Sequence, residues 1–256
     1  MKKTMLMILA SVLVATFYLT ACDRENGKEN EREYPITADV IRNAVKDIDG
    51  NKYDAVRIGD QVWMAENLKT TRFADGTEIP LGGEASYSEE QPLLYYPFYS
   101  ANSVKNFGYL YNWSAMIHGA VSNDDNPSGE QGICPNGWHV PSDTEWTQLM
   151  DYLKSQPMYV HQVAKSLAST KGWTYSENEN AVGNDVSTNN ATGFSAVPAG
   201  WGHHGYVGDG FSASFWSVTL DSAGKAQGFY MHTDNSDVTR IRGDKHAAFS
   251  VRCLRD

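Results

Sequence analysis

Hydrophobic positions recur along the chain in three rhythms, and each predicts a different element. The first is a continuous run: Met5 to Leu19 is apolar apart from Ser11, Thr16 and Tyr18. It is shorter than the roughly 20 residues that span a bilayer. With Lys2 and Lys3 in front of it, it has the form of a signal-peptide h-region behind a positive n-region. The second rhythm is the strand rhythm. Tyr53, Val56 and Ile58 are the apolar members of a strand over 52–58, Gly59-Asp60 supplies a tight turn, and Gln61-Val62-Trp63-Met64 returns, which predicts a β-hairpin. Asp49-Gly50-Asn51 is turn chemistry just before it. Short strands are also predicted over 193–197, 214–218, 226–232 and 249–254. The third rhythm is helical. Leu110, Trp113, Ser114 and Ile117 fall at i, i+3, i+4 and i+7, with Gly119 as a stop. Ser142-Asp143-Thr144-Glu145 is a capping box, followed by the stripe Trp146, Leu149, Met150 and Leu153. A third helix is predicted over 160–168, with Val163, Ala164 and Leu167 on one side.

The leader ends in Leu19-Thr20-Ala21-Cys22, the pattern of a bacterial lipobox. It predicts cleavage after residue 21 and acylation of the Cys22 thiol; the rival reading is an ordinary secretory signal with a chance cysteine. Two or more acyl chains anchor a protein stably, at about 0.8 kcal/mol per buried CH₂. The expectation is an exported protein, lipid-anchored to the outer membrane and displayed at the cell surface or facing the periplasm. Residues 23–32 are charged and lack apolar periodicity, as a disordered tether would be. Residues 33–46 are ambiguous and suit an extended lead-in. The domain boundaries that follow are 1–21 for the signal peptide, 22–46 for a flexible acidic tether and 47–256 for one globular domain.

Three cysteines are present, and the lipid would use one. In an oxidising compartment the remaining pair, Cys134 and Cys253, is expected to form a disulfide; the alternative is two buried free thiols. The formal net charge is −10, and removing residues 1–21, with their two lysines and no acid, makes it −12. A surface of that sign repels phosphate backbones, so nucleic acid is not an expected partner.

Candidate chemistry is sparse. Asp47-x-Asp49-x-Asn51 opens like a calcium loop, but Ile58 stands at the twelfth position where a bidentate Glu is required, which favours a turn with solvated acids. His203 and His204, with Trp201, Tyr206 and Asp209, form the densest group of functional side chains. Adjacent imidazoles point apart in extended chain, so no metal site and no cofactor is expected there. Trp63, Trp113, Trp138, Trp146 and Trp216 sit in strand or helix patterns and are expected in the core, each with a partner for its N–H. Trp173 and Trp201 lie in the polar, loop-rich half; exposed, their flat rings could stack on sugar C–H faces, and the rival reading is that they pack the loops. Nucleophile-elbow, His-Glu-x-x-His and phosphate-loop motifs do not occur.

Several ordered segments carry a family resemblance. They are Asp47-Ile48-Asp49-Gly50-Asn51-x-Tyr53, Ile58-Gly59-x-Gln61-Val62-Trp63-Met64-Ala65-Glu66-Asn67-Leu68, Gly108-x-Leu110-Tyr111-Asn112-Trp113, and Cys134-Pro135-x-Gly137-Trp138-His139-Val140-Pro141-Ser142-Asp143-x-Glu145-Trp146. Ala191-Thr192-Gly193-Phe194-Ser195, Phe215-Trp216-Ser217 and Ser250-Val251-Arg252-Cys253 follow. Together they resemble the Fibrobacter succinogenes major paralogous domain family. The resemblance implies an exported protein, often a lipoprotein, and does not by itself settle an activity. The order of helices, loops and terminal Cys strand is also similar to C-type lectin-like domains and to formylglycine-generating sulfatase-modifying domains. That implies an α+β fold, with a small twisted antiparallel sheet, two or three flanking helices and a long loop region. The lectin calcium triplets Glu-Pro-Asn and Gln-Pro-Asp are absent, and the paired late cysteines of formylglycine-generating enzymes are reduced to Cys253 alone.

The leading expectation is a non-catalytic surface module that recognises a glycan or a surface protein through loops 169–212. Its candidate ligand-binding residues are Trp173, Trp201, His203, His204, Tyr206 and Asp209. The rivals are an enzyme acting on polysaccharide or related to the formylglycine-generating type, and a structural subunit of a surface assembly.

Overall fold

A computed structural model describes residues 38–83, 87–202, 205–208 and 210–256. The expected signal peptide, Cys22 and most of the expected tether lie outside the described residues.

The predicted hairpin forms with the expected boundaries. Strand β2 (Lys52–Ile58) pairs antiparallel with β3 (Gln61–Met64), joined at Gly59-Asp60. The sheet begins earlier than residue 47. Part of the segment assigned to the tether, Asp39–Lys46, is strand β1 and pairs antiparallel with β2, with a bulge between Ile41 and Val45. This sheet has the order β1-β2-β3-β13-β6, where β6 is Trp138–His139 and β13 is Leu254–Arg255.

A second sheet has the order β11-β10-β9, from Ser212–Leu220 (β9), Ala226–His232 (β10) and Thr239–Gly243 (β11). The third, β4-β5-β12-β7-β8, is built from short strands: Leu94–Tyr95 (β4), Leu110–Asn112 (β5), Trp201–Gly202 (β7), Tyr206–Val207 (β8) and Ala248–Phe249 (β12). All the strand pairs within these sheets are antiparallel. The broad expectation of an antiparallel-sheet protein with a few helices therefore holds, with three sheets in place of one.

Strands β3 and β9 are buried on both faces, and together with β2 they feed two apolar clusters. Tyr53, Ala55, Val62, Met64, Trp216 and Val218 face one apolar cluster. Val56, Ile58, Trp63, Ala213 and Phe215 face another, together with the helix stripe Trp146, Leu149, Met150 and Leu153. The five tryptophans expected in the core are all buried. Three of their N–H groups have protein acceptors: Trp216 donates to the Tyr111 carbonyl at 2.7 Å, Trp63 to Gln61 Oε1 at 3.2 Å and Trp146 to the Trp216 carbonyl at 3.3 Å.

Helix α3 (Asp143–Ser155) carries the full capping box. Ser142 Oγ accepts from the Glu145 N–H at 3.1 Å, and Glu145 Oε2 accepts from the Ser142 N–H at 2.9 Å. Helix α4 (Val163–Leu167) buries Val163, Ala164 and Leu167 as expected. Two shorter helices, α1 (Val104–Phe107) and α2 (Trp113–Ile117), precede them.

Three expected elements differ. The helix predicted from Leu110 starts at Trp113, because Asn112 ends β5 and caps α2. Its Oδ1 accepts from the N–H groups of Leu93 and Ala115, each at 3.0 Å, and its amide donates to the Ser88 and Gln91 carbonyls. The strand predicted over 193–197 is irregular, with one parallel bridge from Ala196 to Ala168; its apolar content is explained by Phe194, which is fully buried. The terminal strand predicted over 249–254 breaks into β12 and β13 in different sheets. Between them Arg252 is fully buried. It donates to the carbonyls of Met64 (2.9 Å), Phe194 (2.5 Å) and Ser195 (2.9 Å) and to Asn67 Oδ1 (2.7 Å).

Cys134 and Cys253 form the expected disulfide, with their Cα atoms 5.9 Å apart. It ties the loop before β6 to the residue before β13, and those two strands are themselves paired. Among the described residues no helix is long and apolar enough to cross a membrane.

Candidate functional site: an aromatic face around residues 98–107 and 201–211

The expected binding loops are ordered by groups the sequence did not single out. Lys165, on α4, is buried, and its ammonium donates to the carbonyls of Asn184, Asp185 (3.1 Å) and Ala181 (3.5 Å). Burial holds its pKa below the usual lysine range, against the pull of the Asp185 charge. The polar stretch 176–189 thus wraps around a cation supplied by the chain itself.

Trp173 does not offer a binding ring. It is 7 % exposed, lies in the second apolar cluster, and donates its N–H to the Ala196 carbonyl at 3.2 Å. Its apolar area is spent on the core, which corrects the expectation of an exposed ring. Trp201 is half-buried and packs edge-on to Phe249, with centroids 6.5 Å apart. Tyr206 is half-buried. His203, His204 and Asp209 lie outside the described residues.

Around Tyr206 the fold assembles a face that sequence order hides. The backbone N–H of Tyr206 donates to the Tyr99 hydroxyl at 2.5 Å, and that of Gly205 donates to the Tyr87 hydroxyl at 3.1 Å. Both contacts join segments more than a hundred residues apart. The Tyr206 ring lies 5.1 Å from Phe98 and 5.9 Å from Tyr99, and Phe98 lies 4.7 Å from Phe107. Gly200 explains how the strand pair closes: at φ +64, a Cβ there would meet the Val207 carbonyl oxygen at 2.3 Å and the Tyr206 hydroxyl at 2.6 Å. Only glycine fits.

Four large side chains of the surrounding segments are exposed. Tyr99 is 55 % exposed, Val207 44 %, Phe211 46 % and Tyr175 71 %. Thr174, next to Tyr175, donates its N–H to the Gly210 carbonyl at 2.9 Å, so the backbone just before Tyr175 lies beside the backbone just before Phe211.

Phe98 and Tyr99 both hold positive φ, +55 and +51. For bulky side chains this is a genuine outlier, costing of order 1–3 kcal/mol each. The turn that enforces it begins at Pro97, whose carbonyl accepts from the Ser100 N–H at 3.1 Å and from Ser103 Oγ at 2.6 Å. The strain holds the Tyr99 ring outward while its hydroxyl stays committed to Tyr206. No periodicity in Tyr95-Tyr96-Pro97-Phe98-Tyr99 announces this; only the density of aromatic residues around a proline hints at it.

The other sequence candidates have structural roles. The Asp47 carboxylate accepts from the Asn51 N–H and amide and from the Tyr53 hydroxyl. Asp49 accepts from Thr71 and pairs with Arg72 at 2.6 Å; burial raises its pKa, but the bonds from Thr71 and Arg72 outweigh it and hold the carboxyl below the usual range. A neighbouring cleft of about 330 Å³ is lined by Lys46 and Arg72 as well as Asp47, a charge balance unsuited to a cation. Among the described residues no group of three or more His, Cys, Asp or Glu is placed to hold a metal.

His139 is the residue the sequence passed over. It is buried with Nε2 2.9 Å from Glu145 Oε1 and Nδ1 2.7 Å from Asp256 Oδ1. Burial works against its charge, but the hydrogen bonds and charges of Glu145 and then Asp256 prevail and raise its pKa. Glu145 serves the capping box at the same time, so this constellation locks α3 to β6. With Glu145 bonded to Ser128 and Ser142 as well, it is a fastening rather than an acid–base pair open to substrate.

The Fibrobacter succinogenes major domain matches residues 56–255. The chain belongs to that family. The Fibrobacter succinogenes major domain here thus takes in the chain from the end of β2 onward, with the disulfide, His139 and Glu145, and the aromatic face. No curated protein and no solved structure matches the chain.

Proposed function

We propose that this Fibrobacter succinogenes major domain is a non-catalytic recognition module, exported and held at the outer membrane through lipid on Cys22, that binds a glycan through the face of Tyr99, Tyr206, Phe211 and Tyr175. The observation that carries the reading is the strained pair Phe98–Tyr99, pinned to Tyr206. Strained backbone collects at ligand-binding sites because the surrounding structure must over-determine it. Here it fixes an exposed ring in advance, which lowers the ordering cost of binding. Exposed aromatic rings with an apolar body and a polar edge suit the C–H faces of sugar rings. An apolar patch of this kind on an exposed surface is otherwise unfavourable.

The proposal extends to the fold. A capped helix against antiparallel strands, a long loop region and a terminal segment disulfide-bonded to the middle of the chain support a C-type lectin-like architecture, with Lys165 in the organising role that a bound cation would otherwise fill. The test is a glycan array probed with the purified protein. Binding to a defined set of glycans is expected. No binding on the array, with a surface protein captured through the same face, would replace the glycan by a protein partner.

A further inference from the structure

A second cleft, sharing no residue with the aromatic face, lies between the β2–β3 turn and helix α3. It measures about 500 Å³ and is lined by Asp60, Gln61, Asn126, Thr144, Gln148, Asp151 and Tyr152, among others. That volume is in the range of small-ligand sites. We propose that this cleft binds a neutral saccharide, with Tyr152 as its stacking platform. The inference does not rest on the reading of the aromatic face.

The platform is built. The Tyr152 ring lies against Gly59, where a Cβ would come within 3.0–3.2 Å of three ring carbons. Gly59, at φ +60, serves both the hairpin turn and this close approach. Tyr152 remains 39 % exposed, so one face rests on the turn while part of the ring is open. The two walls are fixed to each other, because buried Gln61 donates to the Glu145 carbonyl of α3 at 2.9 Å. A rigid ring between fixed walls needs little ordering on binding.

The polar complement selects the ligand class. Asp60 and Asp151 form no ion pair or side-chain hydrogen bond among the described residues. Asn126 donates to Gln148 Oε1 at 2.6 Å. That bond uses one donor and one acceptor, leaving the Asn126 oxygen to accept and the Gln148 amide to donate. The cleft therefore presents acceptors and donors side by side around an aromatic ring. A sugar hydroxyl both donates and accepts, so it uses this mixture fully. An alkyl amine would use the ring and carboxylates and leave the amide donors idle. Two carboxylates repel uronic or sialic acids, so the saccharide is neutral.

Cellotetraose, xylotetraose, mannotetraose and maltotetraose, with tetragalacturonate as the acidic control, are titrated into isotope-labelled protein. Backbone amide shifts are followed by NMR. At millimolar concentration at least one neutral tetrasaccharide should shift Gly59, Asp60 and the Gln148–Tyr152 amides, and tetragalacturonate should not. Tyr152→Ala should weaken that binding about tenfold or more, whereas Tyr152→Phe, which keeps the ring, should hold it within about threefold. Asp60→Asn with Asp151→Asn should relax the exclusion of tetragalacturonate. Tyr99→Ala should leave these shifts unchanged, so the two faces fail separately. Silence at these amides with all four neutral sugars, equal binding of tetragalacturonate, or a Tyr152→Ala protein that binds as well as wild type would overturn the proposal.

Discussion

The guanidinium of Arg252 lies 4.5 Å above the ring of Phe194 while donating to that residue's carbonyl at 2.5 Å. One cation thereby ties the break between β12 and β13 to the loop at 194–195 and the end of β3. Replacing it by leucine keeps most of the volume but leaves buried carbonyls and the Asn67 oxygen without these donors. Unpaired buried groups cost about 1–3 kcal/mol each. Arg252→Leu should therefore lower unfolding free energy by about 3–5 kcal/mol in urea titrations. A loss under about 1 kcal/mol would show that the network is dispensable.

The disulfide closes a separation of 119 residues. In the chain-entropy model a loop of that length contributes about 5 kcal/mol. The Cys134→Ala, Cys253→Ala double variant should be destabilised by about 3–5 kcal/mol, read from chemical denaturation under non-reducing conditions. Equal stability of the two proteins would mean that the reduced chain is already held by the β6–β13 pairing.

His139 gives the fold a pH dependence of known sign. Its pKa is raised in the folded state by Glu145 and Asp256 against burial, so the folded protein binds the proton more tightly than the unfolded chain. The stabilisation is complete below the unfolded value near 6.5 and is lost as pH rises through the folded value. The stability gap between wild type and His139→Gln should be widest below about pH 6.5 and narrow as pH rises above it. A charge-assisted bond to Glu145 contributes about 1.5–3 kcal/mol. A gap that widens with increasing pH would contradict the assignment.

The proposed lipid anchor is tested at Cys22. Radiolabelled palmitate should enter the wild-type protein and not Cys22→Ser, and the variant should leave the membrane fraction. Equal labelling of both would remove the anchor.

The parts of the fold legible in sequence were those fixed by local chemistry. The hairpin follows from a tight turn between short apolar runs, and α3 from a capping box that satisfies its own backbone. Leu110 fell on a helical stripe by coincidence of spacing, and only the four hydrogen bonds of Asn112 reveal the boundary. Trp173 shows the limit of composition: a polar neighbourhood suggested exposure, yet the ring is drawn into the core by Ala196 across the loop. Of the expected site, Trp201 and Tyr206 are brought to one region. Tyr99 and Phe98, a hundred residues away in sequence, could not be assigned to it, because nothing local encodes a contact that sheet topology creates. Lys165 was hidden for the same reason, reading in sequence as one more lysine on a short helix.

The central claim is that ligand is held on the pre-set Tyr99 face. Affinity for the best array glycan should be measured by calorimetry for wild type, Tyr99→Ala, Phe211→Ala and Trp173→Phe. The account predicts a loss of about tenfold or more for each of the first two variants, worth about 1.4 kcal/mol or more, and little change for Trp173→Phe beyond its effect on stability. Undiminished affinity in both Tyr99→Ala and Phe211→Ala would contradict it.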